Sequence, residues 1–302
     1  MKRTVSRMEG ISSFLNTRKL AYLLVAPTVV IFAAITLYPL LYSLHLSFFS
    51  WNLLRPSLGK VFIGLENYRR IVYDPVFWYS LKTTLYFMGA SVALQFLIGL
   101  GLALLFNVEF KGRSVARSII LVPLLITPIV IGLMWKWLLN PEFGILNYFL
   151  SFVGVSSKSW LGDPSLALFT VIIVDVWHLT PFATLVLLAG LQALPEPLYE
   201  AARIDGASWW KMFRYITLPL LKPVILVVLL LRTIGTFATF PEIYALTQGG
   251  PGRATEVLGF LVYRTSFKEF RMGYGAALSY VMVVLVLVIA LFYIKALPEL
   301  EV

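Results

Sequence analysis

Six long stretches of the chain are built almost wholly of apolar side chains, at about 20–48, 80–107, 115–139, 166–191, 218–240 and 274–297, and polar segments separate them. A helix needs about 20 such residues to cross the hydrocarbon core of a bilayer. Each stretch is therefore expected to be a membrane-spanning helix, and the chain an all-α polytopic membrane protein with six transmembrane helices. Pro27, Pro39, Pro123, Pro128, Pro181, Pro219 and Pro223 fall inside these stretches or at their edges. In a soluble helix each would cost about 3 kcal/mol. Within a membrane, neighbouring helices and water satisfy the carbonyls that a proline frees, so kinks or hinges are expected at these positions. No internal repeat is evident.

Composition agrees with this pattern. Of 302 residues, 59% are hydrophobic and 13% charged, too apolar a surface for a soluble fold of this size to hide. The net charge of +10 is not gathered into one basic face of the kind that binds nucleic acid. It is dispersed at the ends of the apolar runs. Lys2, Arg3, Arg7, Arg18 and Lys19 precede the first run, Lys111, Arg113 and Arg117 sit in one short loop, and Arg203, Lys211, Arg214 and Lys222 surround another. Cationic loops face the cytoplasm, which places both termini inside (N-in/C-in). The first run is much longer than the roughly 7–15 apolar residues of a secretory signal and is expected to be retained. The expected organisation is a cytoplasmic segment at 1–19, a first transmembrane helix and outer loop at 20–79, a core unit at 80–297 and a cytoplasmic tail at 298–302.

The chain has no cysteine, and its two histidines, His45 and His178, lie in different spans, so neither a thiolate nor a zinc site is expected. It contains no G-x-x-x-x-G-K-[ST] phosphate loop and no G-x-S-x-G elbow, so neither ATP hydrolysis nor serine nucleophile chemistry is expected of it. No cofactor or metal is assigned to the chain, and it is not expected to be an enzyme.

Ionisable groups inside a span cost about 2.5–3.5 kcal/mol each on insertion scales, which draws attention to Asp175 and His178 in the fourth span and Arg232 near the middle of the fifth. Two arrangements account for them. One is structural, an Asp175–Arg232 ion pair or an Asp175–His178 hydrogen bond. The other is a wet pathway in which these groups meet the hydroxyls of a cargo while Trp135, Trp137, Trp177 or Tyr244 offers a flat apolar face. Thr236 and Glu242 complete the candidate set, and Gln95 and Ser279 are further polar positions that spacing does not single out. Tryptophans near span ends also suit the interfacial aromatic belt, and Lys136 is placed to snorkel.

Between the fourth and fifth spans, residues of about 195–219 form a polar, helix-forming interruption. Leu194-Pro195-Glu196-Pro197 opens a short helix ending near Ile204, Gly206 breaks it, and a second short helix of about 208–215 runs toward Pro219. Physics alone allows an amphipathic interfacial loop here. The residues Glu200-Ala201-Ala202, Asp205-Gly206-Ala207 and Ile216-Thr217-Leu218-Pro219, however, resemble the E-A-A, D-G-A and I-x-L-P anchors of the EAA loop of ABC-importer permeases. Weaker stretches are similar to carbohydrate-type permeases of the maltose and glycerol-phosphate kind, first-subunit branch: Phe62–Tyr68, Trp135-Lys136-Trp137, Asp175-Val176-Trp177 and Ile243–Pro251.

The resemblance implies a type I importer permease fold in a prokaryotic plasma membrane. It implies that Glu200, Ala201, Ala202, Asp205, Gly206, Ala207, Leu218 and Pro219 form a coupling surface for a separate ATPase. Its further implications are a second permease, two ATPase copies that bind ATP and magnesium, an extracytoplasmic solute-binding protein, and a disaccharide, oligosaccharide or polyol cargo. The rival expectation is an ion-coupled secondary transporter of a small polar solute, which the lack of repeats disfavours.

Overall fold

The computed structural model describes residues 17–296. The segment expected at 1–19 thus lies outside the described residues up to position 16, as does the tail at 298–302. The first span runs from Tyr22 to Ser47 as α1 (Thr17–Phe32), a π-helical turn (Ala33–Leu37) and α2 (Tyr38–Ser47). The wide turn falls just before Pro39, where the chain must do without one backbone donor. A two-stranded antiparallel ladder follows, β1 (Phe49–Ser50) paired with β2 (Val61–Phe62). It is pinned by Asn67 of the amphipathic helix α3 (Glu66–Tyr73), whose side-chain amide donates to the carbonyls of Ser47 and Phe49 at 2.8 and 2.9 Å.

Two long spans begin with the same sequence device. Helix α4 (Pro75–Asn107) opens on Asp74-Pro75 and α8 (Pro164–Gln192) on Asp163-Pro164. In each, the aspartate caps the first turn, accepting from the backbone N–H of Val76 at 2.9 Å and of Ser165 at 2.8 Å. The proline at the next position gives up a donor that would go unused there. Hydrogen bonds from the hydroxyl and backbone N–H of Ser165 hold the Asp163 carboxyl below the usual carboxylate range.

The third apolar run departs from the straight helix expected at 115–139. It is two helical arms, Arg113–Leu125 and Pro128–Leu138, bent by 99°; the first contains α5 (Arg113–Leu121) and the second is α6 (Pro128–Leu138). The cause is local. Ile126 and Thr127 are both extended, with ψ of 136° and 144°, and the Pro128 ring disfavours helical backbone in the residue before it. The described residues hold five helices long and apolar enough to cross a membrane, or six spans with the bent pair as one.

The remaining elements are α7 (Ile145–Phe152), α9 (Glu196–Ile204), α10 (Trp209–Met212), α11 (Leu218–Phe237), α12 (Pro241–Leu246), α13 (Leu258–Tyr263) and α14 (Met272–Ala296). The fifth span is longer than the expected 218–240, because α10 runs through a second π-helical turn (Phe213–Thr217) into α11, giving one unit from Trp209 to Phe237.

Helices α4, α8 and α11 form the centre of the bundle, with Ala103, Phe106, Ala183, Leu187, Leu221 and Val228 buried between them. A second cluster joins α4, α6, α8 and α12 through Phe87, Ile131, Val174 and Ile243. A third ties α14 to α3 and the start of α4 through Leu278, Ile71 and Phe77. Small residues set the closest approaches, as expected where lipid removes most of the hydrophobic force between helices. Leu24, Ile35, Leu287 and Phe292 lie on outward faces and are exposed, positions that suit acyl chains rather than water.

At Gly99 a Cβ would stand 2.9 Å from the Ala183 Cβ and 3.2 Å from the Thr184 backbone nitrogen. Gly99→Val is therefore expected to force α4 and α8 apart, at an overpacking cost of about 1–3 kcal/mol. The check is a lowered midpoint in thermal unfolding of the detergent-solubilised protein, with Gly101→Val, where a Cβ meets open space, as the control.

Candidate functional site

The polar interruption folds as an elbow at one end of the bundle. Pro195 and Pro197 fit the entrance of α9, where early positions need no backbone donor, and the helix ends at Ile204. Its end is closed by two reversed hydrogen bonds, from Ala207 N to the Ala202 carbonyl at 2.9 Å and from Gly206 N to the Arg203 carbonyl at 3.1 Å, the pairing of a Schellman cap. Gly206 has φ of +71°, the left-handed conformation in which a side chain costs about 1–2 kcal/mol. A Cβ there would meet nothing within 4 Å, so it is backbone conformation and not space within this chain that demands glycine.

Glu200, Ala201, Asp205 and Gly206 are exposed on the elbow, with Ala202 and Ala207 half-buried beside them. Neither acid forms an ion pair among the described residues. Leu218 and Pro219 lie apart from this surface, at the first turn of α11. Tyr199 and Thr217 lock the two arms together with a 2.9 Å hydroxyl contact. Beneath them is a recess of about 710 Å³ between the elbow and the ends of α4 and α8, bordered by Asn107, Leu191, Arg203 and Trp209. The rings of Trp209 and Phe213 stack at 5.4 Å and 2°.

The second feature is a string of buried polar side chains in the bundle. Asp175 and Arg232 are both buried, but no direct ion pair joins them among the described residues. Gln95 of α4 bridges them. Its amide nitrogen donates to Asp175 Oδ2 at 2.7 Å, and its carbonyl accepts from Arg232 Nε at 2.8 Å. Arg232 also donates from Nη2 to Thr236 Oγ1 at 3.1 Å. A neutral amide can serve both charges because it carries an acceptor and a donor on one planar group. Arg232 occupies the last third of α11 and not its middle.

His178 does not bond to Asp175. Its Nδ1 faces Glu242 Oε1 of α12 at 3.4 Å without closing a hydrogen bond, and Glu242 Oε2 accepts from Thr239 Oγ1 at 3.0 Å. Asp175 and His178 lie close on one side of α8, but their polar atoms are directed to different partners, Gln95 of α4 and Glu242 of α12.

Around this string the aromatic candidates divide. Trp135 and Trp177 meet edge to face at 5.5 Å, and the Trp135 indole N–H is buried without a partner. Tyr244 packs on Phe240 and Tyr263 at 5.5 and 5.3 Å. Trp137 points elsewhere, exposed and against Phe143 at 5.3 Å, so it is not part of the inner group. Gln95, one of the polar positions that spacing does not single out, is the bridge. Spacing within its own span carries the signal: Ser80, Thr84, Ser91, Gln95 and Gly99 follow one face of α4 at helical intervals, and the first four are fully buried. Among the described residues no three His, Cys, Asp or Glu side chains gather in a way that could hold a metal ion.

A helical membrane bundle with a bridged polar string in its apolar interior and an exposed elbow at one end is the architecture of a transport component. The chain belongs to the family of binding-protein-dependent transport system inner membrane components, whose description matches residues 95–298; it is a membrane-embedded permease subunit and not itself an enzyme. It is 43% identical to the trehalose/maltose transport system permease protein MalF of Thermococcus litoralis, over 92% of this chain and 93% of that one. It is 39% identical to the trehalose transport system permease protein SugA of Mycobacterium tuberculosis, over 97% and 91%. Among solved structures, it superposes on a bacterial ABC transporter chain involved in import of the acidic polysaccharide alginate. That match has a TM-score of 0.81 and 26% identity, covering 94% of this chain and 96% of that one. A second structure of the alginate transporter, in complex with an alginate pentasaccharide-bound periplasmic protein, matches with a TM-score of 0.79 at 26% identity, over 91% and 92%.

Removing the bridge takes from two buried groups their shared hydrogen-bond partner, and a buried polar group left unsatisfied costs about 1–3 kcal/mol. Gln95→Leu is expected to lower the unfolding midpoint, because leucine offers neither the donor to Asp175 nor the acceptor to Arg232. In a double-mutant cycle with Arg232→Met the two losses are expected to be strongly non-additive.

Proposed function

We propose that the chain is one permease half of an ATP-driven importer of carbohydrate, a disaccharide, an oligosaccharide or a related polyol, and that it forms the pathway together with a second permease. The observation that carries the coupling half of this reading is the elbow: an exposed, preorganised helix–glycine–helix joined without a break to a membrane span. Its acidic residues form no ion pair among the described residues, and its two arms are fixed by the Schellman cap and the Tyr199–Thr217 contact. Glu200, Ala201, Ala202, Asp205, Gly206 and Ala207 would seat in a separate ATPase, present in two copies and holding the ATP and magnesium. Leu218 and Pro219 would serve as the anchor of the following span. Closure of the ATPases on ATP would pull the elbows together and shift the permease pair from inward-facing to outward-facing, because the closed ATPases favour one of the two states.

Carbohydrate is supported by the named cargo of the relatives and by the chemistry of the string. Arg232 Nη1 takes no partner among the described residues, and the Trp135 indole N–H is likewise open to an acceptor. The Arg232 donor, with Asp175, Thr236, His178 and Glu242, suits a polyhydroxylated solute once the string is exposed to the pathway, and Trp135, Trp177 and Tyr244 supply flat apolar faces. A solute-binding protein docking over the outer loops would deliver the cargo. The core unit would run over 80–297, with coupling at about 195–219.

Gly206→Leu is expected to reduce uptake of a radiolabelled disaccharide to less than about a tenth while the subunit still inserts and accumulates normally. Undiminished uptake at equal abundance would remove the coupling assignment.

A further inference from the structure

On the same end of the bundle as the elbow, the loop after α4 and the start of α5 line an open surface recess of about 870 Å³, bordered by Lys111, Arg113, Ser114, Arg117, Ser118 and Gln192, with Glu109 at its edge. Its charge is unbalanced. Lys111, Arg113 and Arg117 form no ion pair among the described residues, and Glu109 pairs with none of them. The two guanidinium groups are nevertheless held in place. With its amide turned so that the oxygen faces them, Gln192 accepts from Arg113 Nη2 and Arg117 Nη2, each at 3.2 Å. Arg117 Nη2 also donates at 2.6 Å to the Phe106 carbonyl, one of the terminal carbonyls that α4 cannot satisfy within itself. Like-charged groups brought together and fixed by a neutral amide, with no carboxylate between them, form a preorganised anion site.

The surroundings indicate which anion. Along α5 and at its C-cap, Val115, Ile119 and Val122 are exposed on one side at helical spacing, while Arg113 and Arg117 occupy another. An amphipathic helix of this kind lies at the boundary of acyl chains and headgroups. The first turn of α5, entered from Gly112 at φ of +88°, has no side-chain cap. We propose that this recess binds the phosphate of an anionic phospholipid headgroup from the cytoplasmic leaflet, with Lys111 and Arg113 as its ligands and Arg117 as the residue that joins the site to the end of α4. The inference rests on the membrane orientation and not on the cargo. Asn107, which borders the neighbouring recess under the elbow, stands two residues before Glu109 at the edge of this one, so a lipid here would lie next to the base of the coupling element.

The test uses the complete transporter in nanodiscs of phosphatidylcholine containing a photoactivatable phosphatidylglycerol, followed by peptide mapping. Labelling is expected within 109–121. It should fall at least about fivefold in Lys111→Gln/Arg113→Gln, which leaves Arg117 intact, and should persist in Arg113→Lys. Gel filtration confirms that each variant still assembles. Equal labelling by a photoactivatable phosphatidylcholine, or unchanged labelling in the double variant, would overturn the proposal. Loss of labelling on adding inorganic phosphate at millimolar concentration would assign the site to free phosphate instead. A crosslink from this segment to another subunit, in place of lipid, would make the recess a protein interface and would also overturn the proposal.

Discussion

Hydrocarbon offers no hydrogen-bonding partner, so the polar groups this chain carries into a membrane must find theirs in the protein or in water that a cavity admits. The Gln95 bridge is the sharpest instance. An aspartate on α8 and an arginine on α11 are buried, and one amide on α4 answers both. The three helices that supply these groups are the ones that enclose the central apolar cluster. Their close packing and their polar pairing therefore support each other. The small faces at Gly99 and Gly190 allow the approach, and the approach brings the amide within reach of both charges.

Backbone satisfaction explains the irregular places in the same terms. Pro39 and Pro219 are each preceded by a π-helical turn that keeps the helix continuous, whereas at Pro128 the chain gives up the helix and turns by 99°. The difference lies in what precedes the proline. Pro128 follows a short 3-10 turn (Pro123–Leu125) and two extended residues, Ile126 and Thr127, so the helix has already ended before the proline is reached.

Much of this was legible in the residues. Apolar run length gave the spans, and the elbow between the fourth and fifth was marked by Pro195, Gly206 and Pro219. The Asp-Pro pairs at 74–75 and 163–164 carry their caps in the sequence itself. What could not be read was rotational phase. Asp175 and His178 are three residues apart and equally plausible partners by spacing, yet their polar atoms meet different helices. Composition fixes which segments enter a membrane; only packing fixes which side of each helix meets its neighbour. The bend at Pro128 and the run-through from α10 to α11 are further cases in which local backbone chemistry moved a boundary that hydropathy alone had drawn too simply.

The π-helical turn at Phe213–Thr217 ties the two ends of one long element to a common angular setting. Each residue of an α-helix advances the face by about 100°, so the residue accommodated in that wide turn determines the direction in which Arg232 emerges relative to Trp209. The stretch between them can exchange side chains freely at its lipid-facing positions, but it cannot gain or lose a single residue without swinging the guanidinium away from Gln95. Length, more than composition, is the property that this part of the chain is obliged to keep.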